Sequence, residues 1–545
     1  MYVQELLQRG SPKALRKIIF ITCLAGLANA VLIALVNAAA EQAALARPFS
    51  PRLALLYINA FGIYYVANLA SLREANRIVQ ERLGELRLRI ADKLRRSELR
   101  ALEQLGRGDI HATLAQEMNQ LSQNFPLLVS AAQSLFFLAF FLFYIATLSQ
   151  ISFIVVTFAT LLALVDFYFR REALNKVLVT VHAREAEMLE SLTHFTEGFQ
   201  EIRLNADKNE ALYSRFREVV DDLESVVVRV AGQWVGLLMF SNAFLYGLIG
   251  MVILMLPMFF EGYTATIYKI TAAAIFCVGP VMAITSAAPL YSRAHIGLAH
   301  VYRLEERLDR GITQATPATG LTPSRFQGFQ RIEVEGATFS YTDARGRVSF
   351  TTGPWDMALQ RGELVFVLGG NGSGKSTALK LLCGLYTLDA GRILVDGVPV
   401  DRDSLQQYRE LFSGIFSDFH LFDRLHGLDG IDPAAVRAQI DRMELGSKVD
   451  FVDGRFTTLD LSTGQRKRLA MIVSLLEDRE IYLFDEWAAD QDAHFREIFY
   501  TEILPELNRR GKTILAVTHD DRYWGLSDRV VTMDLGVMAR ESAEA

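Results

Sequence analysis

The residues best suited to chemistry form one string, Gly369-Gly370-Asn371-Gly372-Ser373-Gly374-Lys375-Ser376-Thr377. The apolar run ELVFVL precedes it and TALKLLC follows, which sets it in a strand–turn–helix context. Glycines let backbone N–H groups turn inward around the β- and γ-phosphates of a nucleoside triphosphate. Lys375 adds a point charge there, and the Ser376 hydroxyl is a fitting ligand for Mg2+. Farther on, Ile481-Tyr482-Leu483-Phe484-Asp485-Glu486 reads as an apolar strand ending in two carboxylates. Asp485 is placed to hold the Mg2+ through water, and Glu486 to polarise an attacking water as general base. Acids often close strands, so the pair says little alone. Paired with the phosphate loop, it points to ATP hydrolysis.

These residues need an α/β frame to position them, and the sequence provides one. From Arg331 onward strand-like and helix-like segments alternate, after a Thr/Pro/Gly-containing linker around 311–328. What precedes the linker is of a different kind. The chain has 545 residues, 51% of them hydrophobic, and the apolar excess lies before residue 300 or so. Six stretches approach the ~20 apolar residues that cross a hydrocarbon core. They run from Ile18 to Ala40, Leu53 to Leu72, Leu127 to Leu148, Ile151 to Phe169, Val235 to Phe260 and Ile270 to Tyr291. Runs such as FFLAFFLFYIATL and GLIGMVILMLPMFF exclude the buried helices of a soluble protein as the better reading. The first run lacks a small-residue cleavage site after it and reads as a retained helix.

Basic residues set the orientation. Arg73, Arg77, Arg82, Arg87, Arg89, Lys93, Arg95, Arg96 and Arg100 follow the second span, Arg170 and Arg171 close the fourth, and Lys13, Arg16 and Lys17 precede the first. By the positive-inside tendency the termini and two long arms, about 73–126 and 170–234, are cytoplasmic. The arms read as helical, and most of their charges read as solvated faces. Gly106–Asp109 and Glu197–Gly198 interrupt them and are the expected turns toward the ATPase. Asn59, Asn68, Gln133 and Asn242 either line a substrate path or bond neighbouring helices. Pro280 and Pro289 are expected to kink the sixth span and make it a cavity wall. Cys23, Cys277 and Cys383 stand far apart with no metal spacing and read as small buried hydrophobes. A net charge of −6 gives no global basic surface for nucleic acid.

Leu461-Ser462-Thr463-Gly464-Gln465, followed by Arg466-Lys467-Arg468, resembles the signature sequence of ATP-binding cassette (ABC) proteins. Six spans before one cassette resemble a half-size ABC exporter. More narrowly, LGGNGSGKST, FSDFHLFD, LSTGQRKR, FDEWAADQD and GKTILAVTHDDRY resemble the bacterial cyclic-peptide and siderophore-peptide exporters, the group serving syringomycin, pyoverdine precursors and microcin. The motifs cover about 330–535; over the membrane half the likeness is one of layout. It implies an all-α six-helix transmembrane domain (1–310), a linker (311–330) and an α/β P-loop ATP-binding cassette (331–545).

The resemblance also implies roles. Tyr341 is the aromatic that stacks on adenine, His519 the switch histidine and Asp492 the D-loop aspartate. Ser462, Gly464 and Gln465 close on ATP bound to a second copy, so the working unit is a homodimer with ATP and Mg2+ as cofactors. The expected setting is the bacterial inner membrane, with lipids and a peptide-like substrate as partners; a periplasmic adaptor is a further candidate. A lipid flippase and an ATP-sensing membrane regulator are the alternatives. Two departures stand out. Ser417 occupies the place of the usual Q-loop glutamine, and its shorter side chain falls short of the Mg2+ position; Ser417 and Asp418 are nonetheless the expected coupling hinge. The segment DFVDGRFTTLD lacks the usual Gly-Glu-rich form before the signature.

Overall fold

A computed structural model describes residues 12–44, 48, 50–255, 258, 275–276, 278–312, 324–342, 347–428 and 430–542. It divides into two compact units, one of residues 1–90 with 108–305, the other of residues 91–107 with 306–545.

The first unit is helical. Its main helices are α1 (Pro12–Ala44), α2 (Pro51–Arg96), α4 (Met118–Leu148), α5 (Gln150–Glu197), α6 (Phe199–Leu204), α7 (Ala206–Gly250) and α8 (Val278–Gly311); the short α3 (Leu99–Leu105) belongs to the second unit. Segments in α1, α2, α4 and α7 are long and apolar enough to cross a membrane, and Gln150–Leu162 at the start of α5 is a shorter apolar helix. Residues 270–274 and 277 of the sixth expected span, Cys277 among them, lie outside the described residues. At 1.5 Å per residue α2 is about 69 Å long, roughly twice the ~30 Å hydrocarbon core, so the helix continues well past its apolar part. Its last turn carries Lys93, Arg95 and Arg96, which favour a helix C-terminus.

Only Ser149 separates α4 from α5, and its side chain accepts from the Ser152 N–H as an N-cap. Ala30, Ile33, Phe137, Phe141, Ile145, Val156 and Val252 pack the interior of this unit. Large apolar side chains such as Ile58, Phe143 and Phe158 are exposed, as expected of a surface solvated by acyl chains rather than water. Asn59 donates to the Leu55 carbonyl of its own helix, whereas Asn68 and Gln133 each keep a buried polar atom with no partner among the described residues. Pro289 lies in the interior of α8.

The second unit holds the expected α/β domain. Six strands, β3 (Leu364–Gly369), β6 (Phe412–Ile415), β9 (Ile481–Asp485), β10 (Thr513–Val517), β11 (Arg529–Asp534) and β12 (Val537–Ser542), form a sheet in the order β12-β11-β3-β10-β9-β6. The core pairs β6–β9–β10–β3–β11 are parallel. The alternation explains why these strands read as unbroken apolar runs. Leu364, Phe366, Tyr482, Phe484, Ile514 and Ala516 face one cluster; Val365, Val367, Ile481, Leu483, Leu515 and Val517 face the other. The second cluster lies under an antiparallel sheet of β1 (Arg331–Thr342), β2 (Val348–Gln360), β4 (Ala390–Val395) and β5 (Val398–Pro399), while β7 (Phe451–Val452) and β8 (Arg455–Phe456) pair as a separate hairpin. The first is covered by α11 (Pro433–Arg442), α12 (Thr463–Glu477), α13 (Ala493–Ile498) and α14 (Leu504–Arg509), while α9 (Lys375–Leu382) and α10 (Leu405–Arg409) lie on the other side.

Candidate active site

The loop between β3 and α9 begins where the central strand runs out. Gly369 has φ +150°, and a Cβ there would strike the Met533 carbonyl and the Ser373 hydroxyl; Gly374 has φ +98°. Both conformations demand glycine. Lys375 is buried and donates to the Gly369 and Gly370 carbonyls, each at 3.0 Å, while its Nζ lies 3.8 Å from Glu486 Oε1. The Ser373 hydroxyl is buried with no partner among the described residues, a donor suited to a phosphate oxygen.

Asp485 ends β9 beside this loop, paired in register with Val517 of β10. It is 1% exposed, and neither carboxylate oxygen meets a donor in full hydrogen-bonding geometry. Burial pushes its pKa up, although the Ser376 hydroxyl and the N–H and hydroxyl of Ser417 favour the charged form. A buried carboxylate short of partners, next to a hydroxyl, fits a hard divalent cation that keeps waters and phosphate oxygens as its other ligands. The fit of Ser376 and Asp485 to Mg2+ is therefore good. Ser417 borders Asp485 through its backbone as well as its hydroxyl, so the shorter side chain does not remove it from the site.

Glu486 adopts φ +51° and ψ +39°, a left-handed turn unusual for glutamate. Its Oε1 lies 3.2 Å from His519 Nε2, which follows β10. Three strand ends thus converge: the loop after β3, the carboxylates after β9 and the histidine after β10. Tyr341 on β1 contributes an aromatic edge. Its hydroxyl is 3.1 Å from Thr377 Oγ1 and 3.4 Å from the Tyr386 hydroxyl, and its ring stands edge-on to Phe339 at 5.0 Å.

The remaining expected residues stand apart. Ser462 caps α12, with its hydroxyl accepting from Gln465 N–H and Gln465 Oε1 accepting from Ser462 N–H, a reciprocal capping box. Among the described residues no hydrogen bond or ion pair joins Ser462, Gly464 or Gln465 to the phosphate loop. Their position at a helix N-terminus suits an anion supplied from outside the chain. Asp492 caps α13 by accepting from Phe495 N–H, which with Arg468 at 2.6 Å lowers its pKa.

The end of the arm belongs to the second unit, where Glu98 and α3 make contacts that no local pattern in the sequence marks. Glu98 pairs with Arg409 at 3.2 Å and Arg100 with Asp389 at 2.9 Å, while Arg100 also stacks over Phe339. The Tyr386 hydroxyl donates to Glu103 at 2.8 Å. Lys380 Nζ lies 3.9 Å from Glu103 and 3.7 Å from Asp418. Asp418 and the arm thus share one cation on the helix that follows the phosphate loop.

The family described as ABC transporter matches residues 353–489. The chain is 32% identical to the ATP-binding protein SyrD of Pseudomonas syringae pv. syringae over 478 residues, 84% of this chain and 82% of that protein. It is 32% identical over 195 residues to the macrolide export ATP-binding/permease protein MacB of a Shewanella species, a match covering 34% of this chain and 30% of the relative. In fold it is similar to a bacterial Atm1-family ABC exporter solved with ATP bound, at TM-score 0.77 and 17% identity, over 98% of this chain and 96% of that one.

Proposed function

Because this chain belongs to the ABC transporter family, and is an exporter whose cassette hydrolyses ATP to drive transport, we propose that its cargo is a peptide-derived metabolite, a cyclic peptide or siderophore precursor. The observation that supports this most is the reach of the likeness to SyrD, which spans the membrane half as well as the cassette; the likeness to MacB covers about a third of the chain. The motif FDEWAADQD, shared in type with the peptide exporters, points the same way.

In this reading two copies form the working unit in a bacterial inner membrane. Lys375 and Ser373 hold the β- and γ-phosphates, Tyr341 stacks on the base, and Ser462 and Gly464 of the partner subunit close over the γ-phosphate. A bound Mg2+, held by Ser376 and through water by Asp485, would offset phosphate charge. Glu486 takes the proton of the attacking water, and His519 keeps the carboxylate turned toward it. Contacts made only in the closed dimer favour that state, and hydrolysis removes them.

The test is ATPase activity of the purified chain in lipid nanodiscs against a panel of cyclic peptides, siderophore precursors and lipids. Saturable stimulation by one peptide class is the expected result. Stimulation by lipids alone would replace the peptide reading with a flippase, and indifference to every compound would remove the support for a peptide cargo.

Coupling in this proposal passes through Ser417 and Asp418 at the end of β6. Asp418→Ala is expected to keep basal hydrolysis within about twofold, because Asp418 is exposed and its ion pair is with Lys380 on α9, while losing most of the stimulation. Basal and stimulated rates both matching the wild type would end the assignment of the hinge.

A further inference from the structure

Lys467 has no part in the scheme above, yet it is 3% exposed, and a lysine is seldom buried without a specific partner. Its neighbours on α12, Arg466 and Arg468, remain partly open to solvent. The Lys467 ammonium reaches two groups in the turn after β9. It donates to the Glu486 carbonyl at 2.6 Å and pairs with Asp490 Oδ2 at 2.7 Å. Trp487, itself buried, returns a bond by donating its indole N–H to the Lys467 carbonyl at 2.9 Å. The two residues therefore lock the turn and the helix to each other from both sides.

What this lock holds is the backbone of Glu486. A glutamate in the left-handed region persists only where its surroundings fix it. A charge-assisted bond to its carbonyl is a strong fixing contact. The direction of the Glu486 side chain, toward His519 and Lys375, follows from that backbone. Further along, Gln491 Nε2 donates to the Gly464 carbonyl at 3.1 Å, and Arg468 donates to Gln491 Oε1 at 3.0 Å. The start of α12 and the turn that bears Glu486 thus form one hydrogen-bonded body.

We propose that Lys467 is a positioning residue for ATP hydrolysis: it holds the left-handed turn that aims the Glu486 carboxylate, and does so from the helix that presents Ser462. Since Ser462 closes on the nucleotide of the partner subunit, Lys467 joins the occupancy of one site to the base of the other. This rests on Glu486 being the general base and on the homodimer described above.

The experiment measures kcat, KM for ATP, affinity for a fluorescent ATP analogue and the unfolding midpoint, using the full chain in lipid nanodiscs. Lys467→Met keeps the length and bulk of the side chain and removes the ammonium. It is expected to lower kcat by at least about tenfold while nucleotide affinity and unfolding midpoint stay near wild type, since small misplacements of catalytic groups cost up to ~100-fold. A merely structural lysine would lower affinity, stability and rate together, and that pattern, or a smaller loss of kcat, overturns the proposal. Should Lys467→Met fail to fold, Asp490→Asn decides. It leaves the bond to the Glu486 carbonyl and reduces the second anchor from an ion pair to a neutral hydrogen bond, so kcat is expected to fall at least about threefold at unchanged affinity; a smaller loss overturns the role. Glu486→Gln run in parallel separates the premises. If it still hydrolyses ATP readily, the assignment of the base fails and the proposal with it. If it is inactive while Lys467→Met is unaffected, the role of Lys467 alone fails.

Discussion

Glu486→Gln is expected to bind ATP about as well as the wild type and to hydrolyse it at least a hundredfold more slowly, in line with the ~10²–10⁴ that a positioned general base contributes. The substitution keeps the shape of the side chain, and its amide oxygen can still accept from His519, 3.2 Å away in the native site. The Lys375 ammonium, 3.8 Å from the same oxygen, keeps its two loop carbonyls, so the phosphate cradle has no reason to collapse. What disappears is the basicity needed to take a proton from water. Phosphate release under saturating ATP reads the rate, and retention of labelled nucleotide by the dimer reads the trapped, closed state. His519→Ala should cost less than Glu486→Gln, because in the proposed scheme the histidine orients the carboxylate, 3.2 Å away, and does not take the proton. A Glu486→Gln rate within about tenfold of wild type would move the base elsewhere.

The parts of this site that were legible in the sequence are those whose chemistry is written in consecutive residues. Gly369 and Gly374 are needed where they stand because the backbone there is one only glycine adopts, and Asp485 ends a strand buried on both faces. The membrane helices were legible for a similar reason: length and apolarity belong to a single segment, as in Ala206–Met255. Contacts between distant segments left no such mark. Glu98, Arg100 and Glu103 look like ordinary charges on a soluble helix. Their partners Arg409, Asp389 and Tyr386 lie roughly three hundred residues away, and no local pattern encodes that distance. Lys467 was hidden within the basic run RKR, where nothing in the spelling says that one cation of the three is buried. Trp487 and Asp490, just after the strand, were the available signal, because an indole N–H and a carboxylate near a buried helix each need a partner. At Ser417 side-chain reach was a poor guide, since its backbone N–H also faces Asp485.

Asp485→Asn is expected to abolish Mg2+-dependent hydrolysis, a loss of at least about a hundredfold, while leaving the nucleotide-free cassette as stable as wild type or more so. The two effects have one cause. With no cation bound, Asp485 is a buried carboxylate whose oxygens meet no donor in good geometry, and burial raises its pKa above the ordinary aspartate range. A folded-state pKa above the unfolded one means that the charged form opposes folding. The contribution of Asp485 to stability is fully present below the unfolded pKa and is lost as pH rises through the folded pKa. Asparagine has no charge to bury, so its advantage over aspartate in the apo protein should grow with pH and vanish in acid. Leaving a buried polar group unsatisfied costs about 1–3 kcal/mol, and each kcal/mol moves the midpoint of a domain of this size by about 2–4 °C. Unfolding midpoints of the two proteins without nucleotide, measured from below the ordinary aspartate range up to pH 8, test the sign. Adding Mg2+ and ATP should reverse the order, because the wild-type carboxylate then gains the cation it lacks and asparagine cannot offset the metal charge. Asp485→Asn less stable than wild type throughout the apo series would show that the carboxylate is held by donors of the protein itself, and would remove the ground for placing Mg2+ beside it.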